Sequence, residues 1–175
     1  MPIVPDTKDW SWVLQRRCDQ CGFDSTALAF DAVPALVRAT TAKWSIILGR
    51  TGAGQRPDEN TWSPVEYAAH TRDVCGLFGE RLAMVLNDDE PVFPDWDQDA
   101  AAIDGRYDEQ DPAVVSGELS AAADATADAF ATVPAASRGR KGKRSDGTVF
   151  TVATLARYFA HDLVHHLHDV APHSS

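Results

Sequence analysis

Three histidines, His70, His161 and His165, are of a type and spacing that could do chemistry. His161 and His165 are four apart in a segment that reads as helix, so both imidazoles project from one face about one turn apart. That separation suits two ligands on one divalent ion. His70 lies in a second helical segment and is placed to supply a third. Three imidazoles leave coordination positions open for water or substrate, as in catalytic rather than closed structural sites.

Other ligands or bases lie close by. Glu66 precedes His70 by four residues, Asp73 follows it by three, and His168 lies three beyond His165. Two histidines and a carboxylate would suit iron, whereas three histidines suit zinc or nickel better. His166 falls near the apolar side of its helix, where a hydrogen-bonded core histidine is expected. The plainer reading of His161 and His165 is a solvated face, because they point nearly opposite the stripe centred on Phe159 and Leu163. A helix covered on two sides would remove that objection, and Tyr158 and Val164 flank the histidine face.

Cys18 and Cys21 form a C-x-x-C, but no second such pair or H-x-x-H follows at zinc-ribbon spacing. The flanking Arg16 and Arg17 would lower a thiol pKa, which keeps a redox pair open, with simple packing as the default. Cys75 reads as a small buried hydrophobe. No G-x-S-x-G, phosphate loop or dinucleotide fingerprint is present.

Four helical stretches must position these residues. The first spans about 31–48, with Val33, Leu36, Val37, Trp44, Ile47 and Leu48 at helical spacing before Gly49. The second opens on Ser63-Pro64-Val65-Glu66, a capping box with Pro at the first helical position. Its stripe of Tyr67, His70, Val74, Leu77, Phe78, Met84 and Val85 turns His70 toward the core. The third runs from Asp111-Pro112 to about Val133, and the fourth from about Thr151 to Val170. No segment alternates convincingly as a strand. The expected fold is all-α: a four-helix bundle over residues 31–170, with residues 1–30 as an arm packed on it through Trp10, Trp12 and Phe23. The connection between helices two and three exceeds 20 residues, long enough for a crossover.

With 175 residues, the chain suffices for one domain with a real core. A net charge of −10 argues against a nucleic-acid partner. No apolar run reaches membrane-spanning length, and the Met1–Asp6 end lacks signal-peptide character, so a cytoplasmic location is expected. Ten Asp or Glu against Arg106 alone crowd residues 88–111, while residues 137–144 hold five of the sixteen basic residues. That basic segment contains Gly139 and Gly142 and reads as a mobile connection. Arg140 and Lys141 within it, and Arg81 on the second helix, are candidates for anionic substrate groups.

Two motifs, Trp62-Ser63-Pro64-Val65-Glu66-Tyr67-Ala68-Ala69-His70 and His161-Asp162-Leu163-Val164-His165-His166, resemble the W-[ST]-x-x-E-x-x-x-H and H-x-x-x-H elements of the DinB family (DinB/YfiT-like metalloenzymes). That family includes thiol-dependent S-transferases and the mycothiol-dependent maleylpyruvate isomerase type. The resemblance implies a four-helix bundle in which His70, His161 and His165 hold one divalent metal, usually zinc or nickel, at the mouth of a cleft. It further implies a metal-dependent transferase that activates a low-molecular-weight thiol such as mycothiol for attack on a small electrophile. A metal-dependent hydrolase of a small ester, lactone or amide uses the same ligands, and a non-catalytic metal-binding stress protein is a third reading. A homodimer through exposed helices fits any of the three.

Overall fold

A computed structural model describes residues 9–171, so the reading of the Met1–Asp6 end lies outside the described residues. The stripe expected as one helix over 31–48 is broken into α1 (Val33–Thr41) and α2 (Trp44–Leu48). At the break, Thr41 returns its hydroxyl to the Val37 carbonyl at 2.9 Å, a back-bond that bends helices.

The longest helix, α3 (Pro64–Asn87), starts where the capping box places it. The Ser63 amide donates to Glu66 Oε2 at 2.8 Å, and the Glu66 amide donates to Ser63 Oγ at 3.4 Å. Val65, Ala69, Val74, Phe78, Leu82 and Val85 recur on its buried face. The acidic crossover that follows carries α4 (Gln98–Asp104), capped by the Asp97 carboxylate. Next, α5 (Pro112–Ala131) is capped by Asp111 and packs on α3 through Val115, Leu119, Ala123, Ala127 and Phe130. Thr126 donates to the Cys75 carbonyl across that contact at 2.8 Å.

Two three-residue strands, β1 (Lys141–Lys143) and β2 (Val149–Thr151), pair antiparallel ahead of α6 (Val152–Asp169). Strands this short show no usable alternation, which is why the sequence pattern missed them. The basic segment is thus an ordered hairpin, not a mobile connection. Arg140 donates to the Val85 and Asp88 carbonyls at 2.7 Å each, satisfying the C-terminal end of α3. Gly142 lies against Phe93 and Val85, where an added Cβ would come within 2.6 and 2.7 Å of their side chains. Gly142→Ala should therefore cost about 1–3 kcal/mol by overpacking, measured by urea unfolding.

Around α6 the core closes. Phe159 is fully buried and stacks on Phe78 at 5.0 Å and Phe130 at 5.8 Å. The opposite side of α6 is covered by the N-terminal arm, in which Val13 and Cys18 are buried. The arm is tied down where Ser25 donates to the Val13 carbonyl at 2.5 Å and Arg157 to the Leu28 carbonyl at 3.2 Å. Because α6 is covered on two sides, its polar face is not a solvated one. The bundle is all-helical apart from the small hairpin.

Candidate metal centre

The segment His161-Asp162-Leu163-Val164-His165-His166 contains two i,i+4 pairs one residue out of phase: His161 with His165, and Asp162 with His166. One residue turns a side chain by about 100° around the helix. The pairs therefore meet different neighbours. Asp162 and His166 join His70, with one ligand atom from each within 4.8 Å of the others. His161 and His165 meet Cys18 and Cys21 of the arm within the same limit. The three histidines singled out by spacing are thus divided between two clusters, His70 in one and the His161/His165 pair in the other.

The α3 side of the first cluster is rigid. His70 is 2% exposed, and its Nδ1 has no hydrogen-bond partner among the described residues. A buried imidazole nitrogen without a partner costs stability unless something else satisfies it, and a cation would do so. Trp96 stacks on the His70 ring at 5.4 Å, Trp62 lies 5.3 Å away, and His166 meets it edge-on at 4.7 Å. Burial, then the neighbouring His166, holds the His70 pKa well below its ordinary value, so the ring is neutral, as a ligand must be.

On the α6 side, His166 Nδ1 bonds Asp169 Oδ2 at 3.0 Å, and its Nε2 lies 3.6 Å from Asp162 Oδ1. In the neutral tautomer that donates Nδ1–H to Asp169, Nε2 would carry the free lone pair toward Asp162 and His70. A carboxylate fixing a ligating histidine in this way is the usual outer partner of a metal site. Nitrogen and oxygen ligands held tetrahedrally at about 2.1 Å stand about 3.4 Å apart, close to the observed 3.6 Å. Burial lowers the His166 pKa, but the charges on Asp162 and Asp169 outweigh it and the net shift is upward. Burial likewise raises Asp162, against the pull of His166 and His165. The residues fit a divalent ion: two imidazoles, one carboxylate and positions left open.

This cluster sits in a cleft of about 760 Å³. Trp10, Trp62, Trp96 and Tyr158 contribute aromatic wall, and Arg81 and Arg144 line it beside Asp95 and Asp146. Arg81 is packed over Phe78 and Phe93, and its Nε is buried without a hydrogen-bond partner among the described residues. Arg144 reaches Asp146 at 2.8 Å and Asp9 at 3.6 Å.

The remaining candidates lie elsewhere. Arg140 caps α3 and Lys141 is exposed on β1; neither lines the cleft. Glu66 is buried and held by Arg56 and Ser63, facing away from the cleft. Asp73 accepts from Arg72 at 2.7 Å and from the Tyr107 hydroxyl, anchoring the crossover. His168 is half-buried beyond His165 and does not line the cleft. At Cys21, burial pushes the thiol up to about 11, opposite to the lowering expected from Arg16 and Arg17.

Asp162, Asp169, Trp96 and Arg144 were not singled out from the sequence as site residues, and His166 was read there only as a hydrogen-bonded core histidine, a bond it does make with Asp169. The second i,i+4 pair was visible, but only packing decides which of two overlapping pairs faces α3.

Among the described residues, no helix is long and apolar enough to cross a membrane. No curated protein sequence matches the chain significantly. The fold is similar to the solved structure of YfiT from Bacillus subtilis, described as a probable metal-dependent hydrolase with an unusual four-helix bundle topology. That match has a TM-score of 0.67 and 14% identity, covering 95% of this chain and 89% of that one. The family model of the DinB superfamily matches residues 31–170, which span the bundle and both sides of the cleft. The chain belongs to the DinB superfamily.

Proposed function

We propose that the chain is a metal-dependent enzyme that uses His70, Asp162 and His166 to activate a low-molecular-weight thiol for attack on a small electrophile. The observation that carries this reading is an open donor set of two imidazoles and one carboxylate in a cleft of about 760 Å³. A divalent ion bound there supplies Lewis-acid chemistry, favouring the deprotonated form of a small nucleophile at neutral pH. No protein nucleophile is needed for this chemistry, and Cys75 is buried inside the bundle, off the cleft wall.

The chain's own residues do the rest. Asp169 holds the His166 proton at Nδ1 and keeps Nε2 available. Trp62 and Trp96 close around His70 and limit water there. The volume accommodates a sugar-sized thiol together with an acceptor. Arg81 and Arg144 suit a carboxylate or another anionic group on either reactant. Arg81→Met is expected to raise KM for an anionic reactant about tenfold with little change in kcat, because a hydrogen bond to a charged group contributes about 1.5 kcal/mol or more.

Water in place of the thiol would make the same centre hydrolytic, a reading favoured by Asp95, Asp97 and Asp99 on the cleft wall as candidate bases. Incubating protein loaded with zinc, nickel or iron(II) with a small thiol and an aryl halide separates the two. Metal-dependent conjugate formation is the expected result. Ester or lactone hydrolysis without thiol would replace it with the hydrolytic reading, and neither activity would overturn both.

A further inference from the structure

Cys18 and Cys21 lie on a tight turn in which the Cys18 amide donates to the Phe23 carbonyl at 2.9 Å and the Gly22 amide to the Cys18 carbonyl at 3.0 Å. Gly22 has φ of 74°, a left-handed conformation that glycine adopts without strain. The turn presents both sulfurs to α6. There, His161 and His165 are 4% and 7% exposed, and Cys18 is 1% exposed. Cys18 Sγ and His165 Nδ1 are 3.8 Å apart. One ligand atom from each of the four residues lies within 4.8 Å of the other three.

From these observations we infer that Cys18, Cys21, His161 and His165 form a closed Cys2His2 zinc site that clamps the N-terminal arm onto α6, a donor set distinct from the His70 cluster although His161 and His165 also line the cleft. Three features of the geometry support it. Sulfur at about 2.3 Å and nitrogen at about 2.05 Å from a tetrahedral zinc stand about 3.6 Å apart, close to the 3.8 Å observed between Cys18 and His165. His161 Nε2 is buried with no hydrogen-bond partner among the described residues, which a fourth ligand bond would satisfy. His165 Nε2 lies 3.7 Å from Asp169 Oδ1, placing a carboxylate on the far side of that ring from Cys18.

The donor chemistry selects the ion. Two thiolates and two imidazoles in a tetrahedron suit zinc, and four protein ligands leave no position for substrate. The role is structural. Trp10 packs edge-on against His165 at 4.8 Å and lies tilted against His161 at 5.9 Å, and Trp10 is also cleft wall. Fixing the turn therefore fixes one side of the cleft. The ligand spacings C-x-x-C and H-x-x-x-H belong to a familiar zinc-finger set; about 140 residues of bundle separate them here.

Cobalt(II) added to the full metal-free chain tests this without relying on activity. Thiolate ligation produces an intense sulfur-to-cobalt charge-transfer band, which the sulfur-free cleft cluster cannot give. The wild-type chain should show the band, and zinc should displace it. Cys18→Ser and Cys21→Ser should each abolish it and remove one metal ion per chain, whereas His70→Ala should retain it. In the unmutated protein, zinc should also block Cys18 and Cys21 from a thiol reagent. A wild-type spectrum without the band, unprotected thiols in the zinc-loaded chain, or a Cys18–Cys21 disulfide formed under reducing conditions would overturn the site. Loss of catalysis in His70→Ala with the band intact would bear on the cleft alone.

Discussion

Replacing His166 with Ala is expected to lower metal-dependent turnover by at least about 100-fold, because even outer partners of metal ligands cost 10–100-fold when removed. The same substitution should strip metal from the cleft while leaving the bundle folded. His166 contributes Nε2 to the His70–Asp162 cluster, and its other nitrogen is already committed to Asp169 at 3.0 Å. His165→Ala gives the contrast. Its ring faces Cys18 and Trp10, so it should release the arm and lose the second ion while metal stays in the cleft. Asp162→Asn should behave like His166→Ala with almost no change in shape. Metal content and turnover of the three variants decide the matter. Retained cleft metal and full turnover in His166→Ala, with both lost in His165→Ala, would return the centre to the His161/His165 pair.

Asp169 connects the two clusters. Its Oδ2 bonds His166 and its Oδ1 faces His165, so one carboxylate stands behind a histidine of each. Burial raises the Asp169 pKa, but the three histidines around it, led by His166, bring it below its ordinary value. The carboxylate form that orients a histidine is thereby kept.

Much of the scaffold is legible from local rules. Ser63-Pro64-Val65-Glu66 starts α3, Asp111-Pro112 starts α5, and the apolar stripes of α3 and α6 identify faces that are in fact buried. The break between α1 and α2 was not, because the apolar spacing runs on through residues 42 and 43 without a Gly or Pro to mark it. Nor was the hairpin, whose three-residue strands depend on Gly142 fitting against Phe93 from the distant crossover. The donor clusters proposed here were half legible. His70 and the helix opposite it follow from spacing, but His161-Asp162-Leu163-Val164-His165-His166 offers two registers, and a helix with two covered sides can use both. Arg140 is the same lesson on a smaller scale. A cation in a glycine-bearing connection reads as a free anion contact until the α3 carbonyls it caps are known.

Arg56→Ala should destabilise the fold by about 3–5 kcal/mol, the usual cost of leaving a buried charge without its partner. Glu66 is 2% exposed, and Arg56 donates to its carboxylate through Nε, at 2.9 Å to Oε2, and through a second nitrogen to Oε1. Ser63 adds its amide and hydroxyl to Oε2, both at 2.8 Å. Without Arg56 that carboxylate remains buried at the start of α3, one turn ahead of His70. For a chain of this size the loss corresponds to a fall in Tm of about 10 °C. The pH dependence has a definite sign. Burial raises the Glu66 pKa, but Arg56 and Ser63 outweigh it and the net shift is downward. A lowered carboxylate pKa contributes stability that is present above the unfolded value and lost as pH falls through the folded one. The gap between wild type and Arg56→Ala in urea unfolding should therefore be widest near pH 7 and narrow in acid, where Glu66 is protonated in the variant first. Adding Glu66→Gln to Arg56→Ala should recover part of the loss, since a neutral amide costs less to bury than an unpaired carboxylate. A gap that does not change with pH, and no recovery in the double variant, would mean that Arg56 acts by packing alone.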